Sequence, residues 1–240
     1  MGMPVDIEII GPEPETVFEE AFHILQAIDE RFSTYKTESE ITKINQGVLA
    51  LADSSNDMRE VFELAEKTKK ETEGYFDIRR PDGTLDPSGI VKGWAIHKVA
   101  EYIRTAGYSN FFINAGGDIA LSGTNVEGNA WRVGIQNPFN TKEIVKVVYP
   151  YGKGIATSGS YVRGAHIYNP HAPDVAITDI VSLTVIGPNV LEADRYATGA
   201  FAMGKRGIAF LEHVPGFEGY MIDAQGIATM TSGFSTYTPT

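Results

Sequence analysis

The apolar residues of this chain change period part-way along, and that change constrains the fold class more than any other feature. Up to about residue 106 they recur every three or four positions: Val17, Phe18, Ala21, Phe22, Leu25 and Ile28, then Met58, Val61, Phe62 and Ala65, then Ile96, Val99, Ala100 and Ile103. That spacing lays one apolar stripe along a helix. The first helix follows Pro12 and Pro14, the second starts near Ser55 and stops by Gly74, and the third covers residues 93–106 and ends at Gly107. A strand over residues 5–10 precedes them, and the stretch 32–45 (FSTYKTESEITKIN) is polar and shows no period. Beyond residue 110 the pattern becomes short β-rich runs broken by Gly and Asn, at 111–114, 119–122, 131–136, 144–149, 155–157 and 180–186. A helix over 190–203 stopped by Gly204, a short helix over 208–213 and strands at 220–223 and 227–231 follow. Helices and strands do not alternate regularly, which favours α+β over a doubly wound sheet. No repeat, low-complexity stretch or linker interrupts the chain, so residues 1–240 are expected to form a single domain.

Composition narrows the function classes. Cysteine is absent, which removes disulfides, thiolate zinc sites and a cysteine nucleophile. Twenty Lys and Arg against 31 Asp and Glu give a net charge of −11, which opposes an electrostatic grip on nucleic acid or on an anionic membrane surface. An anionic small molecule stays open, because a metal ion can reverse the local field. No run approaches the roughly 18 apolar residues of a membrane span. The start, MGMPVDIEII, lacks a charged leader followed by an apolar core, so the expectation is a cytoplasmic protein, or an exported one if a leader precedes it.

Several segments carry groups suited to chemistry. Asp194 and Thr198 are four apart on a helix and share one face, offering hard oxygen ligands suited to magnesium. A surface Asp beside a Thr bonded to its own helix fits the same spacing. The block DPSGIVKG (86–93) is glycine-rich, opens a helix and contains Lys92, features that favour an anion, although a simple loop and cap would look alike. Its glycines do not follow the Walker A pattern. Asn114-Ala115-Gly116-Gly117-Asp118 and Ala156-Thr157-Ser158-Gly159 read as turns that permit close backbone approach to a ligand, and neither contains a nucleophile elbow. His166, in the stretch AHIYNP, is a candidate general base or ligand anchor, and no paired-histidine zinc spacing occurs.

Taken in order, these blocks are jointly specific. Phe32-Ser33-Thr34-Tyr35, Ser39-Glu40-Ile41 and Asn45 come first, then DPSGIVKG, NAGGD, ATSG, His166-Ile167-Tyr168-Asn169-Pro170 and Asp194-Arg195-Tyr196-Ala197-Thr198. From Gly2 to about Gly204 the chain resembles the ApbE family of FAD:protein FMN transferases. The resemblance implies a duplicated T-fold, an α+β architecture of mostly antiparallel sheet with packed helices. It implies a magnesium-dependent transfer of the FMN half of FAD to a Thr or Ser hydroxyl of a target flavoprotein, with AMP released. It also implies site residues: magnesium ligands at Asp194, Thr198 and the Gly89 carbonyl, FAD contacts at Tyr35, Asp86, Lys92 and Ile167, and catalytic roles for His166 and Asp194. Hydrolysis of FAD to FMN and AMP, or FAD binding without turnover, would use the same residues. The chain departs from the family pattern at Pro87-Ser88, at Arg79 where Thr is usual, at Asn169 in place of Asp, and at Met3 in place of Thr. It also lacks much of the stretch that normally precedes Asp86, where the lid over the FAD is expected to differ.

Overall fold

A computed structural model describes residues 2–160 and 167–239. The elements run β1 (Val5–Ile10), α1 (Glu15–Phe32), α2 (Glu40–Asn45), α3 (Asn56–Glu71), α4 (Ser88–Thr105), β2 (Asn110–Ala115), β3 (Asp118–Ser122), β4 (Val133–Asn137), β5 (Asn140–Val148), β6 (Gly154–Gly159), β7 (Ile180–Gly187), α5 (Val190–Ala202), α6 (Arg206–Glu212), β8 (Glu218–Asp223) and β9 (Ala228–Met230). Seven strands form one sheet in the order β1-β2-β3-β6-β7-β8-β9, every pair antiparallel, and β4 with β5 forms a separate hairpin. The fold is therefore α+β with antiparallel sheets, as the period change predicts. One order of elements occurs twice: strand, helices, then a two-strand meander, as β1 to β3 and again as β7 to β9. Among the described residues no helix is long and apolar enough to cross a membrane.

Alternation along the strands sorts the core into two faces. In β3, Ala120 faces the helices while Ile119 and Leu121 face away; in β8, Met221 faces the helices while Tyr220 and Ile222 face away. On the helix side, α1, α3 and α4 cover the first half of the sheet and α5 and α6 the second. On the opposite side Trp131, Val133, Ile135 and Val148 from the hairpin, together with Phe234, close a third cluster. The hairpin is thus a cover for the sheet, with an outer surface that leaves Phe139 and Ile144 exposed.

Local differences from the sequence reading have simple causes. Within the polar stretch 32–45 lies α2, a helix whose six residues bury only Ile41 and so carry no stripe. It forms because the Ser39 hydroxyl accepts the Thr42 N–H at its start. The helix expected from residue 93 begins at Ser88, where Pro87 stands at the N-cap and the carboxylate of Asp86 accepts the Ser88 N–H at 3.0 Å. DPSGIVKG is thus mostly helix. The hairpin strands are shifted against expectation, since β5 begins at Asn140 with polar, exposed residues that no apolar pattern marks.

Helices α4 and α5 cross in close contact. At the crossing stands Gly93, where an added Cβ would lie 2.6 Å from the Asp194 Cβ and 3.0 Å from the Val190 carbonyl oxygen. Only a residue without a side chain fits. Replacing Gly93 by Ala must push the helices apart, and we expect a loss of about 1–3 kcal/mol, as for other overpacked interiors. Chemical unfolding of Gly93→Ala against the parent chain measures it.

Candidate functional site

A cleft of about 920 Å³ opens where the two repeats meet, walled by the start of α4, the middle of α5, the β2–β3 turn, β6 and the hairpin. Its floor is built from the α4–α5 crossing. The Gly93 N–H donates to Asp194 Oδ2 at 2.7 Å, and one turn away the Thr198 hydroxyl donates to the Gly89 carbonyl at 3.3 Å. The carbonyl of Gly89 lies four residues before the N–H of Gly93, so one helical turn of α4 presents both groups to α5. Asp194, Thr198 and Gly89 therefore converge as carboxylate, hydroxyl and carbonyl. An added Cβ at Gly89 would stand 3.2 Å from Thr198 Cγ2, a tight contact that the threonine side chain would have to yield to.

This donor set is hard and all-oxygen, of the kind that suits magnesium. Among the described residues no group of three or more His, Cys, Asp or Glu side chains is placed to hold a metal ion.

Two further charges complete the floor. Asp118, fully buried at the start of β3, accepts the Thr157 N–H at 3.1 Å through Oδ1 and pairs through Oδ2 with the Lys92 ammonium at 2.7 Å. Lys92 also stands 3.8 Å from Asp194 Oδ1, and it keeps 18% of its side chain exposed at the cleft. Asp118 ends the NAGGD turn, in which Gly116 and Gly117 both adopt positive φ and Asn114 accepts the Gly117 N–H. Sequence reading singles out that turn for its glycines and misses its carboxylate. The signal is present, since a charge directly after a tight glycine turn, at the head of an apolar strand, has to find a buried partner.

Of the residues named from sequence, Asp86, Gly89, Lys92, Ile167, Asp194 and Thr198 all line this cleft. Asp86 also pairs with Arg80, besides accepting the Ser88 N–H. Asn45 holds the same loop from the other side: its amide donates to the Leu85 carbonyl and accepts the Leu85 N–H, at 2.9 and 2.8 Å. Ser39 and Glu40 cap the starts of α2 and α3, a structural use of motif residues. Tyr35 does not join the others. It sits in the turn between α1 and α2, 96% exposed, and it is not among the residues lining the cleft. His166 lies outside the described residues. Three aromatic residues not singled out as contacts stand at the cleft, Tyr75, Phe76 and Tyr168, the last fixed by its hydroxyl to the Arg79 carbonyl at 3.1 Å.

Burial drives the Asp194 carboxyl well above the usual carboxylate range, and the neighbouring charge of Asp118 adds to the shift, against the opposing pull of Lys92 and the Gly93 N–H. In the metal-free fold Asp194 thus holds its proton to higher pH than in the unfolded chain. The folded state binds more protons across that window, so stability falls as pH rises above the ordinary carboxylate range. We expect Asp194→Asn, which keeps the Gly93 hydrogen bond, to flatten this decline. Chemical unfolding of metal-free protein from about pH 5 to about pH 8 measures both slopes.

Comparison with known proteins finds relatives over most of the chain. A family model described as "ApbE family" matches residues 1–81 and 78–221. A protein of Vibrio cholerae named FAD:protein FMN transferase is 35% identical over 142 residues, which cover 55% of this chain and 42% of that protein. A protein of the same name from Escherichia coli K12 is 34% identical over 161 residues, covering 63% and 46%. These alignments span less than half the length of either relative. A solved structure of the flavin transferase ApbE from Vibrio cholerae superposes with a TM-score of 0.86 at 26% identity, covering 99% of this chain and 96% of that one. The ApbE protein of Thermotoga maritima superposes with a TM-score of 0.88 at 20% identity over 100% and 97%, a likeness of fold. With the family model matching most of its length, this chain belongs to the ApbE family.

Proposed function

We propose that the protein transfers the FMN moiety of FAD to a Thr or Ser hydroxyl of a target flavoprotein, with magnesium, and releases AMP. The observation that carries this reading is the convergence of Asp194, Thr198 and the Gly89 carbonyl beside Lys92 on the floor of one large cleft. The relatives' name, FAD:protein FMN transferase, supports it. At about 920 Å³ the cleft is of a size to hold a dinucleotide.

The bond changes are those of phosphoryl transfer. The acceptor oxygen attacks the FMN phosphorus, the bridging P–O bond to AMP breaks, and the hydroxyl proton goes to a base. In such reactions positioning and charge neutralisation account for most of the rate. Magnesium bound to Asp194, Thr198 and the Gly89 carbonyl would neutralise charge on the pyrophosphate oxygens. Lys92 places an ammonium at the cleft, and the N–H groups at the start of α4 present partial positive charge to the same anion. Asp86 and Asn45 hold the loop that delivers that helix start. In this reading Ile167, beside the cleft, contacts FAD and His166 receives the acceptor's proton. A net charge of −11 does not oppose FAD binding, because these local positive groups act at contact distance while the remaining charges are screened beyond about 10 Å.

Incubation with FAD and magnesium, with and without a candidate flavoprotein, tests the proposal. A covalently fluorescent acceptor band on a denaturing gel, together with AMP, is the expected result. AMP and free FMN without a labelled acceptor would indicate hydrolysis instead, and bound FAD without AMP would remove turnover altogether. Asp194→Ala should abolish AMP release, and undiminished magnesium-dependent turnover in that variant refutes the metal assignment. His166→Ala should slow transfer by about a hundredfold or more while FAD still binds by flavin fluorescence.

A further inference from the structure

We propose that Asp118 is a positioning residue that holds the Lys92 ammonium off Asp194 and so keeps Asp194 free to take a divalent cation. The inference rests on the magnesium reading of the cleft floor. Its ground is the geometry of three charges in one buried corner. Lys92 stands between two carboxylates at unequal distances, 2.7 Å from Asp118 Oδ2 and 3.8 Å from Asp194 Oδ1. Asp118 is itself fixed, because it is fully buried and its other oxygen accepts the Thr157 N–H from the neighbouring strand. Asp194 has one oxygen engaged by Gly93 and the other 3.8 Å from the Lys92 ammonium, with the Asp118 carboxyl alongside.

An ammonium and a divalent cation compete for the same carboxylate oxygen, and a buried ammonium does not stay far from a counter-ion. With Asp118 present, the nearer carboxylate satisfies Lys92 and leaves Asp194 Oδ1 to the metal. With the charge of Asp118 removed, Asp194 becomes the carboxylate beside Lys92, and the ammonium moves onto it. Asp118 thus acts on the metal site through Lys92, although its carboxyl also lies against that of Asp194.

The test is Mn²⁺ alone as probe, with free Mn²⁺ followed by electron paramagnetic resonance, on four forms of the whole chain: parent, Asp118→Asn, Lys92→Met and the double variant. The Asp118→Asn substitution keeps a side-chain oxygen for the Thr157 N–H, so the fold contact survives the loss of charge, and thermal melting of each form checks this. We expect Asp118→Asn to weaken Mn²⁺ at least about tenfold, and the double variant to bind within about threefold of Lys92→Met. Rescue of this kind separates positioning from a structural role, since a damaged fold would not be repaired by losing a second charge. Parental affinity in Asp118→Asn, or a double variant as weak as Asp118→Asn, overturns the proposal. Absence of Mn²⁺ binding in the parent chain overturns the metal reading together with it.

Discussion

The contact between Gly93 and Asp194 governs the rest of the molecule. Two helices from different halves of the chain meet there closely enough for a backbone N–H of one to reach a buried carboxylate of the other. A buried carboxylate is costly unless hydrogen bonds and opposite charge surround it, and here the Gly93 N–H at the helix crossing and the Lys92 ammonium supply them. Arg195, next along α5, locks the same helix to α3 through Glu71 and Thr68. The position of Asp194 is therefore overdetermined, which is what a group that must meet a cation and a phosphate at fixed distance requires.

Legibility in the sequence follows the physics of each element. The amphipathic helices α1 and α3 can be read from residues such as Val17, Ala21, Leu25, Met58, Val61 and Ala65, because each buries one stripe. The start of α4 lies earlier than the pattern suggests because its first turns contain Pro87, Ser88 and Gly89, residues that punctuate helices in most contexts and here are held by Asp86. Helix α2 escapes notice because a single buried residue makes no pattern. The topological repeat leaves no trace in residue identity, since what recurs is an order of elements and not a string of side chains.

The site is legible to a different degree. Asp194, Thr198, Gly89, Lys92, Asp86 and Ile167 are named from sequence and share one cleft. Spacing alone can associate Asp194 with Thr198, which share a helix face, but the partnership of α4 with α5 joins residues about a hundred positions apart, as Gly93 and Asp194 are, and needs family resemblance to be anticipated. Asp118 is overlooked because its importance lies in Lys92, to which nothing in the local sequence connects it. Tyr35, expected from the family resemblance to contact FAD, stands exposed in the turn between α1 and α2.

The doubled order of elements has a consequence for how the two halves relate. Each half contributes a long helix to the same crossing, but the contributions are not alike: α4 brings the glycines and the lysine, and α5 the carboxylate and the hydroxyl. A symmetric pair of such halves would have offered two equivalent crossings or none. In this chain the halves are complementary parts, like a lock plate and its bolt, so a cut between β5 and β6 would yield two fragments of similar design of which neither carries a complete site.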